Sequence, residues 1–204
     1  MKILWVKNGK LLPAETGGRI RSFNLLRQLD ARADVTLLSY YNGARDLQYE
    51  RALVDVFPRA VAMHTGLPDR SPASLALDYA RWLPSSAPYS IAKHTAAPVQ
   101  RLLAEWVAAC RFVVLLCDFL HSSLNYPRRC QTPSVLFQHN VESILWRRQA
   151  DTERRTMQRA VFQLEAWKMN RYVRATVSRF DHVIAVSGAD RRAMIGMGPA
   201  HRIT

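Results

Sequence analysis

The chain has 204 residues, of which 49% are hydrophobic and 22% charged, so it can bury one core and is not disordered throughout. Its formal net charge of +13 favours anionic partners such as phosphorylated ligands, anionic lipid headgroups or nucleic acid. No nucleic-acid-binding motif accompanies the charge, and we therefore expect no nucleic-acid partner. The longest apolar run, 112–117, is too short to span a membrane.

The three cysteines and the N-terminus indicate the compartment. Cys110, Cys117 and Cys130 are not spaced like metal ligands, and the sequence opens directly on a strand pattern without a signal peptide. We therefore expect reduced thiols and a cytoplasmic protein. The histidines form no metal-ligand spacing with cysteines or carboxylates, so we expect no metal site and no cofactor.

The first element in the chain is a predicted strand at 2–7, followed after a loop by a helix that begins near Gly17 and Gly18. Apolar residues recur every three to four positions over 19–29, which is typical of a helix lying on a sheet. A helix N-terminus offers unpaired N–H groups and the positive end of the dipole, so it can bind an anion. The glycine pair leaves room for a phosphate and Arg19 adds charge, but a plain turn entering the helix fits the pair equally well.

Later segments predict a regular alternation of strands and helices. Strands are predicted at 34–40, 59–63, 112–117, 134–138 and 182–187. Helices are predicted at 44–56, 96–109, 142–177 and 189–197, with a short one at 75–83 inside the irregular stretch 64–95. Apolar strands that alternate with helices predict a parallel sheet covered by helices on both faces. We therefore expect one α/β domain over 1–204.

Polar residues at the predicted strand ends are candidates for a binding site, because ligands of such sheets gather at the carboxyl ends of the strands. Asp118 follows the fourth strand, and His139, Asn140 and Glu142 follow the fifth. An imidazole at this point can donate a hydrogen bond or move a proton near neutral pH, although a structural role for His139 stays open. Asp118 can instead cap the next helix, and Asn140 or Ser143 can cap the one after the fifth strand.

Two common nucleotide-binding motifs are missing from the sequence. A dinucleotide-binding turn carries GxGxxG directly after the first strand, whereas here the glycines follow about ten residues later. The second strand ends in Ser39-Tyr40-Tyr41 instead of an acidic residue, so we expect neither NAD nor FAD. The GxxxxGK[ST] loop of ATPases and GTPases is absent as well.

The long predicted helix combines an apolar stripe with an excess of basic residues. The stripe is most simply core packing and consists of Phe162, Ala166, Met169, Val173 and Val177. Between Glu142 and Arg179 there are nine Lys or Arg residues and four Asp or Glu residues. A solvated basic face explains this excess, and the functional alternative is a surface that meets anionic lipid, with Trp146 or Trp167 at the interface.

Taken together, the motifs resemble a known family. They are the opening strand with the delayed TGGRIRSFNLL, then HNVESILWRR after the fifth strand, and then FDHVIAVSGADRR. The set resembles retaining glycosyltransferases of family 4, and the chain resembles their N-terminal, acceptor-side Rossmann-like domain. This resemblance implies one half of a GT-B fold, with the C-terminal donor-binding domain absent from 1–204. The fragment alone is then expected to be inactive.

The resemblance also implies the chemistry. A hexosyl-type enzyme of this kind transfers a sugar from a nucleotide-sugar to a glycan or lipid-linked acceptor, in polysaccharide or glycolipid synthesis, in the cytoplasm or at the inner face of the membrane. Gly17, Gly18 and Arg19 would approach the donor diphosphate, and His139 would be the catalytic residue that positions or polarises groups near the transferred sugar. Acceptor-side candidates are Asp118, Asn140 and Glu142. The alternative is a stand-alone basic α/β module that docks on an anionic membrane or a partner chain.

Overall fold

The computed structural model describes residues 1–66, 72–127 and 130–204 and contains one six-stranded sheet. The strands are β1 (Lys2–Asn8), β2 (Asp34–Tyr41), β3 (Val61–His64), β4 (Val114–Asp118), β5 (Ser134–Gln138) and β6 (His182–Ala185). The helices are α1 (Gly17–Asp30), α2 (Leu47–Val56), α3 (Pro72–Trp82), α4 (Tyr89–Ala92), α5 (Ala97–Ala108), α6 (Glu142–Thr152), α7 (Thr156–Arg179) and α8 (Gly188–Ile195). Short 3₁₀ turns cover Leu120–Asn125 and Ala200–Arg202.

The sheet has the strand order β3-β2-β1-β4-β5-β6, and every neighbouring pair is parallel. This is the order of a doubly wound Rossmann-like sheet. Strands β1 to β3 are added towards one edge of the sheet and β4 to β6 towards the other, so the order reverses between β1 and β4. The predicted parallel sheet sandwiched by helices is therefore confirmed. Ligands of such sheets bind at this switch point, outside the carboxyl ends of the two central strands.

Both faces of the sheet are buried. Leu115 of β4 packs with Leu103 of α5 and Val173 of α7 on one face. The next residue, Leu116, packs with Leu26 of α1 on the other face. Successive strand residues point to opposite faces, so a strand covered on both sides is apolar throughout. This explains the continuous apolar runs of the sequence.

The single helix predicted over 142–177 is wrong. The helix is interrupted at 153–155, and the two helices α6 and α7 pack as an antiparallel hairpin. The Glu153 carboxylate accepts a hydrogen bond from the backbone N–H of Arg155 at 2.8 Å and stabilises the turn. The rings of Trp146 and Phe162 then meet at 5.9 Å between centroids, a contact that one straight helix could not make.

The predicted apolar stripe of this region is confirmed as core packing where α7 lies on the sheet. Met169, Val173 and Val177 are fully buried. Nearer the hairpin tip, Phe162 is only half-buried, against Trp146. Among the described ranges, no helix is long and apolar enough to cross a membrane.

The stretch 64–95 is more regular than predicted. The expected short helix is confirmed as α3, whereas the four-residue helix α4 was not predicted. Residues 67–71, which include Pro68, lie outside the described residues. Element boundaries otherwise differ by a few residues, as where β4 runs to Asp118 instead of ending at 117.

Candidate functional site

Helix α1 begins at the carboxyl end of β1 and leaves its first N–H groups without a side-chain cap. Thr16 is the N-cap residue in an extended conformation, and its side chain makes no capping hydrogen bond. The first backbone bond of the helix joins the Ile20 N–H to the Thr16 carbonyl at 2.8 Å. The N–H groups of residues 17–19 precede it and have no partner within a helix. This end of α1 can therefore bind an anion.

The two glycines at the start of α1 differ in what surrounds them. A Cβ atom at Gly17 would meet nothing within 4 Å. At Gly18 it would lie 3.5 Å from Phe119 and 3.8 Å from Nδ1 of His139, which are ordinary van der Waals distances. Both positions have ordinary helical backbone conformation, so neither requires glycine for its φ angle. Gly18 alone faces the strand-end candidates.

His139 follows β5 and is 2% exposed. Its Nε2 atom lies 2.7 Å from Oδ1 of Asp118, and its Nδ1 atom lies 3.4 Å from the guanidinium of Arg21 on α1. The ring stacks on Phe119 at 4.4 Å between centroids and also contacts Phe137 at 4.4 Å. The imidazole is therefore held on its faces and on Nε2, and only its Nδ1 edge points towards α1.

Asp118 is fully buried and is the centre of a polar network. Its Oδ2 atom accepts hydrogen bonds from the indole N–H of Trp5 at 3.1 Å and the ammonium of Lys7 at 3.2 Å. Burial alone would raise the pKa of Asp118, but the hydrogen bond from His139 and the charge of Lys7 outweigh it and hold the pKa below its ordinary value. Asp118 is thus a charged carboxylate with Lys7 as its buried counter-ion.

The predicted helix-capping alternatives at the strand ends are wrong. The 3₁₀ turn after β4 begins at Leu120, and its N-cap residue is Phe119, without a side-chain cap. The Asp118 carboxylate bonds to the network instead. The N-cap of α6 is Val141, again without a side-chain cap, so neither Asn140 nor Ser143 caps that helix.

The structure brings some sequence candidates together and separates others. Gly18, Asp118 and His139 lie in one contiguous cluster. Asn140 is exposed, and Glu142 is 8% exposed at the first turn of α6. Within the described ranges, the side chains of these two residues form no hydrogen bond with the cluster. Burial raises the pKa of the Glu142 carboxyl to about 7, although a helix N-terminus favours its charged form.

Sequence reasoning missed the partners of Asp118. Lys7 is 6% exposed inside an apolar strand, and its ammonium also lies 3.5 Å from the Ser22 hydroxyl of α1. The sequence did contain one signal of this network, since Lys7 follows Trp5 by two residues in a strand that is otherwise largely apolar. A buried ammonium group needs an acidic partner. The sequence alone did not say which of the acidic residues that partner was.

A small cavity of about 280 Å³ opens beside the start of α1. It is lined by Lys7, Asn8, Thr16, Gly18, Arg19, Phe119 and His121. Burial, assisted by the charges of Lys93 and Lys7, lowers the pKa of His121 to about 4, so this imidazole is neutral at pH 7. Phe119 has a φ of 73°, a strained conformation for a non-glycine residue of the kind that occurs at binding sites.

A larger cavity of about 930 Å³ lies between α5 and α7, where Gln100, Tyr172 and Arg179 contribute to its wall. None of the predicted site residues is among the described residues that line it. Among the described residues, no group of three or more His, Cys, Asp or Glu side chains is placed to hold a metal ion. The cavity at α1 is therefore the place where Gly18, Arg19, the switch point and the helix N-terminus coincide.

Comparison with known proteins gives a likeness of fold. No known family matches the sequence, and no curated protein matches it. Among solved structures, Anabaena HepE in complex with UDP and glucose is similar to this chain, with a TM-score of 0.50 and 15% identity. The similarity covers all of this chain. This chain spans 43% of the length of HepE. The likeness therefore concerns the fold, and it agrees with the Rossmann-like architecture described above.

Proposed function

We propose that this chain is the acceptor-side half of a glycosyltransferase of GT-B architecture. The observation that carries the proposal is the uncapped N-terminus of α1, where Gly18 and Arg19 line a cavity at the switch point of the sheet. A Cβ atom at Gly18 would lie 3.8 Å from His139. The ligand we propose there is the diphosphate of a nucleotide-sugar, with Arg19 as a further positive charge. The fold neighbour HepE was solved with UDP and glucose, which supports this ligand class.

The rest of the reaction follows from the family resemblance. The donor is a nucleotide-sugar, the acceptor is a glycan or lipid-linked saccharide, and the sugar is transferred with retention of its anomeric configuration. His139 contacts the transferring sugar, and Asn140 and Glu142, on the acceptor side of β5, are candidates for acceptor contacts. Most contacts to the nucleotide come from a second α/β domain. This agrees with the fact that the chain spans 43% of the length of HepE.

The experiment that tests this proposal is a transfer assay followed by NMR. The protein is expressed with the remainder of its reading frame and incubated with UDP-glucose and other nucleotide-sugars together with saccharide acceptors. We expect donor consumption that depends on acceptor, with the product in the anomeric configuration of the donor. Consumption without an acceptor product, or a product with inverted configuration, contradicts the proposal. Gly18→Val is expected to be inactive, and its control is Asp55→Asn at an exposed position of α2, which is expected to be active.

A second candidate function is docking on an anionic membrane through the tip of the α6–α7 hairpin. Helix α7 has 24 residues, or about 36 Å, whereas five strand residues span about 17 Å. Because α7 ends beside the start of β6, its first turns extend past the carboxyl edge of the sheet. Every residue from 154 to 161 is exposed, including Arg154, Arg155 and Arg159, and Met157 is 85% exposed. Trp167 is 57% exposed, whereas Trp146 packs on Phe162.

The tip of the hairpin combines exposed apolar groups with arginine side chains. Each well-placed basic residue contributes about 1 kcal/mol to the free energy of binding to an anionic membrane surface. Sedimentation with vesicles tests this candidate. We expect binding to vesicles that contain phosphatidylserine, lost when Arg154 and Arg155 are replaced by glutamate. Replacement of the exposed Arg51 of α2 by glutamate should leave binding nearly unchanged. Equal binding to uncharged vesicles, or equal losses in both variants, contradicts it.

A further inference from the structure

The contacts of His139 determine which of its ring nitrogens carries the proton. A guanidinium can only donate hydrogen bonds, so the Nδ1 atom, which faces Arg21 at 3.4 Å, is an acceptor. A carboxylate can only accept, so the Nε2 atom, which faces Asp118 at 2.7 Å, is a donor. Both contacts fit the neutral imidazole with its proton on Nε2.

The partners of Asp118 keep its carboxylate in the arrangement that this tautomer needs. Trp5 and Lys7 both donate to Oδ2, which leaves Oδ1 for His139. The network is buried, with Lys7 6% exposed and Asp118 fully buried, so water does not compete for these bonds. These bonds thus hold the carboxylate ionised and in one orientation relative to Nε2 of His139.

The free edge of the imidazole points into the space that Gly18 leaves open. A Cβ atom at Gly18 would lie 3.8 Å from Nδ1, and Arg21 covers this edge of the ring, so a ligand group reaches Nδ1 beside Gly18 by displacing the arginine. The other parts of the ring are covered by Phe119, Phe137 and Asp118. Arg21 is exposed on α1 and can move away from Nδ1 when a ligand arrives.

We infer that Asp118 is a positioning residue that fixes the Nε2–H tautomer of His139, so that the ligand-facing Nδ1 accepts a hydrogen bond from a sugar hydroxyl. A phosphate oxygen cannot donate a hydrogen bond and is excluded from this position. The phosphate therefore lies at the N-terminus of α1 and the sugar hydroxyl at His139. The identity of the ligand rests on the proposed function, whereas the tautomer rests on the hydrogen bonds alone.

Substitution of Asp118 by asparagine should reverse the tautomer. Trp5 and Lys7 both require an acceptor, so the asparagine carbonyl oxygen must take the place of Oδ2. Its NH₂ group then faces Nε2 of His139, which must become the acceptor, and the proton moves to Nδ1. The same exchange behind a catalytic histidine is known to leave geometry intact and abolish most of the rate.

The test is nitrogen NMR of the chain labelled with ¹⁵N in histidine, with the His139 signals assigned by their loss in His139→Gln. In the unsubstituted protein we expect a protonated Nε2 and an unprotonated Nδ1 near neutral pH. A protonated Nδ1 overturns the inference without any variant. In Asp118→Asn we expect the opposite tautomer, and an unchanged one overturns the inference. Asp55→Asn, at an exposed position on α2, is the matched control and should leave the spectrum unchanged.

Arg21→Met tests whether the arginine, instead of Asp118, selects the tautomer. We expect the Nε2–H form to persist in this variant, and a switch to Nδ1–H overturns the role of Asp118. Titration with UDP-glucose should move the Nδ1 resonance, while UDP alone should leave it in place. A resonance that moves equally with both overturns the assignment of a hydroxyl. Since these spectra need no turnover, an enzyme that transfers no sugar refutes the proposed function and leaves the tautomer result intact.

Discussion

At the scale of single residues, a substitution of Gly18 distinguishes a binding role from a structural one. We expect Gly18→Val to abolish most sugar transfer, because its side chain fills the space between α1 and His139. Valine has a slightly better helix propensity than glycine and the added Cβ makes ordinary contacts, so the cost in folding free energy should stay at about 1 kcal/mol, from crowding against Phe119 and His139. A melting temperature measured beside a transfer rate checks this. If the transfer rate and the melting temperature fall together, Gly18 is a structural residue and the argument fails.

His139 should act on the rate and not on nucleotide affinity. We expect His139→Ala to lower transfer about 100-fold, or ~3 kcal/mol, because the lost contact to the sugar acts mainly in the transition state. Truncation also leaves Oδ1 of Asp118 without its partner, so His139→Gln, which can still donate to Asp118, is the control for stability. Kinetics and nucleotide binding are measured on both variants. Wild-type turnover in either variant would make His139 a structural residue.

Among single residues, the sequence pointed to the glycine pair and His139 as candidates because each follows a recognisable strand pattern, and their roles stay predictions. It did not identify the network, since Lys7 and Asp118 are 111 positions apart and meet only once β1 and β4 pair. It also assigned Asp118 to helix capping or acceptor contacts, whereas its carboxylate is buried against Trp5, Lys7 and His139. Contacts between distant strands carry no local signature.

At the scale of elements, the N-termini of the helices differ in whether a side chain accepts a hydrogen bond from their free N–H groups. Ser187 is the N-cap of α8, and its hydroxyl accepts a hydrogen bond from the Asp190 N–H at 3.1 Å. Ser187→Ala should therefore destabilise the fold by about 1 kcal/mol. Thr16→Ala should cost much less, since the Thr16 side chain makes no cap at the start of α1. Chemical denaturation of both variants checks this, and equal losses would mean that α1 is capped after all.

The elements themselves were largely predictable, because apolar periodicity marks every strand and most helices. The α6–α7 hairpin was not, since both helices have strong helical periodicity and no glycine or proline interrupts 142–177. The break follows from packing, because Trp146 and Phe162 bury each other only when the chain folds back. Tertiary contacts therefore overrode a local preference for one long helix.

At the scale of the whole molecule, two buried groups shift the pH dependence of folding in opposite directions. Burial raises the pKa of Glu142 to about 7 and lowers that of His121 to about 4. As pH falls from 7 to 4.5, the folded protein takes up a proton at Glu142 and gains stability. Over the same range the unfolded chain protonates His121 more readily than the folded one does, so stability is lost. Each effect is about 3 kcal/mol, and the two nearly cancel.

Substitution should reveal each effect separately. Glu142→Gln should raise stability near pH 8 by about 3 kcal/mol relative to the unsubstituted protein and leave it nearly equal near pH 4.5. His121→Gln should instead remove the loss of folding stability on acidification. This variant should therefore become more stable, relative to the unsubstituted protein, as pH falls. Urea unfolding at several pH values measures both. Parallel pH profiles in all three proteins would show that neither group titrates as its burial requires.

The central claim is that the N-terminus of α1 binds the diphosphate of a nucleotide-sugar and forms only half of the site. The most direct test is titration of the ¹⁵N-labelled chain with UDP-glucose. We predict shifts concentrated at the amides of Gly17, Gly18 and Arg19, with a dissociation constant no tighter than about 1 mM, or about −4 kcal/mol. Shifts centred elsewhere in the molecule, or micromolar affinity of residues 1–204 alone, would contradict this account.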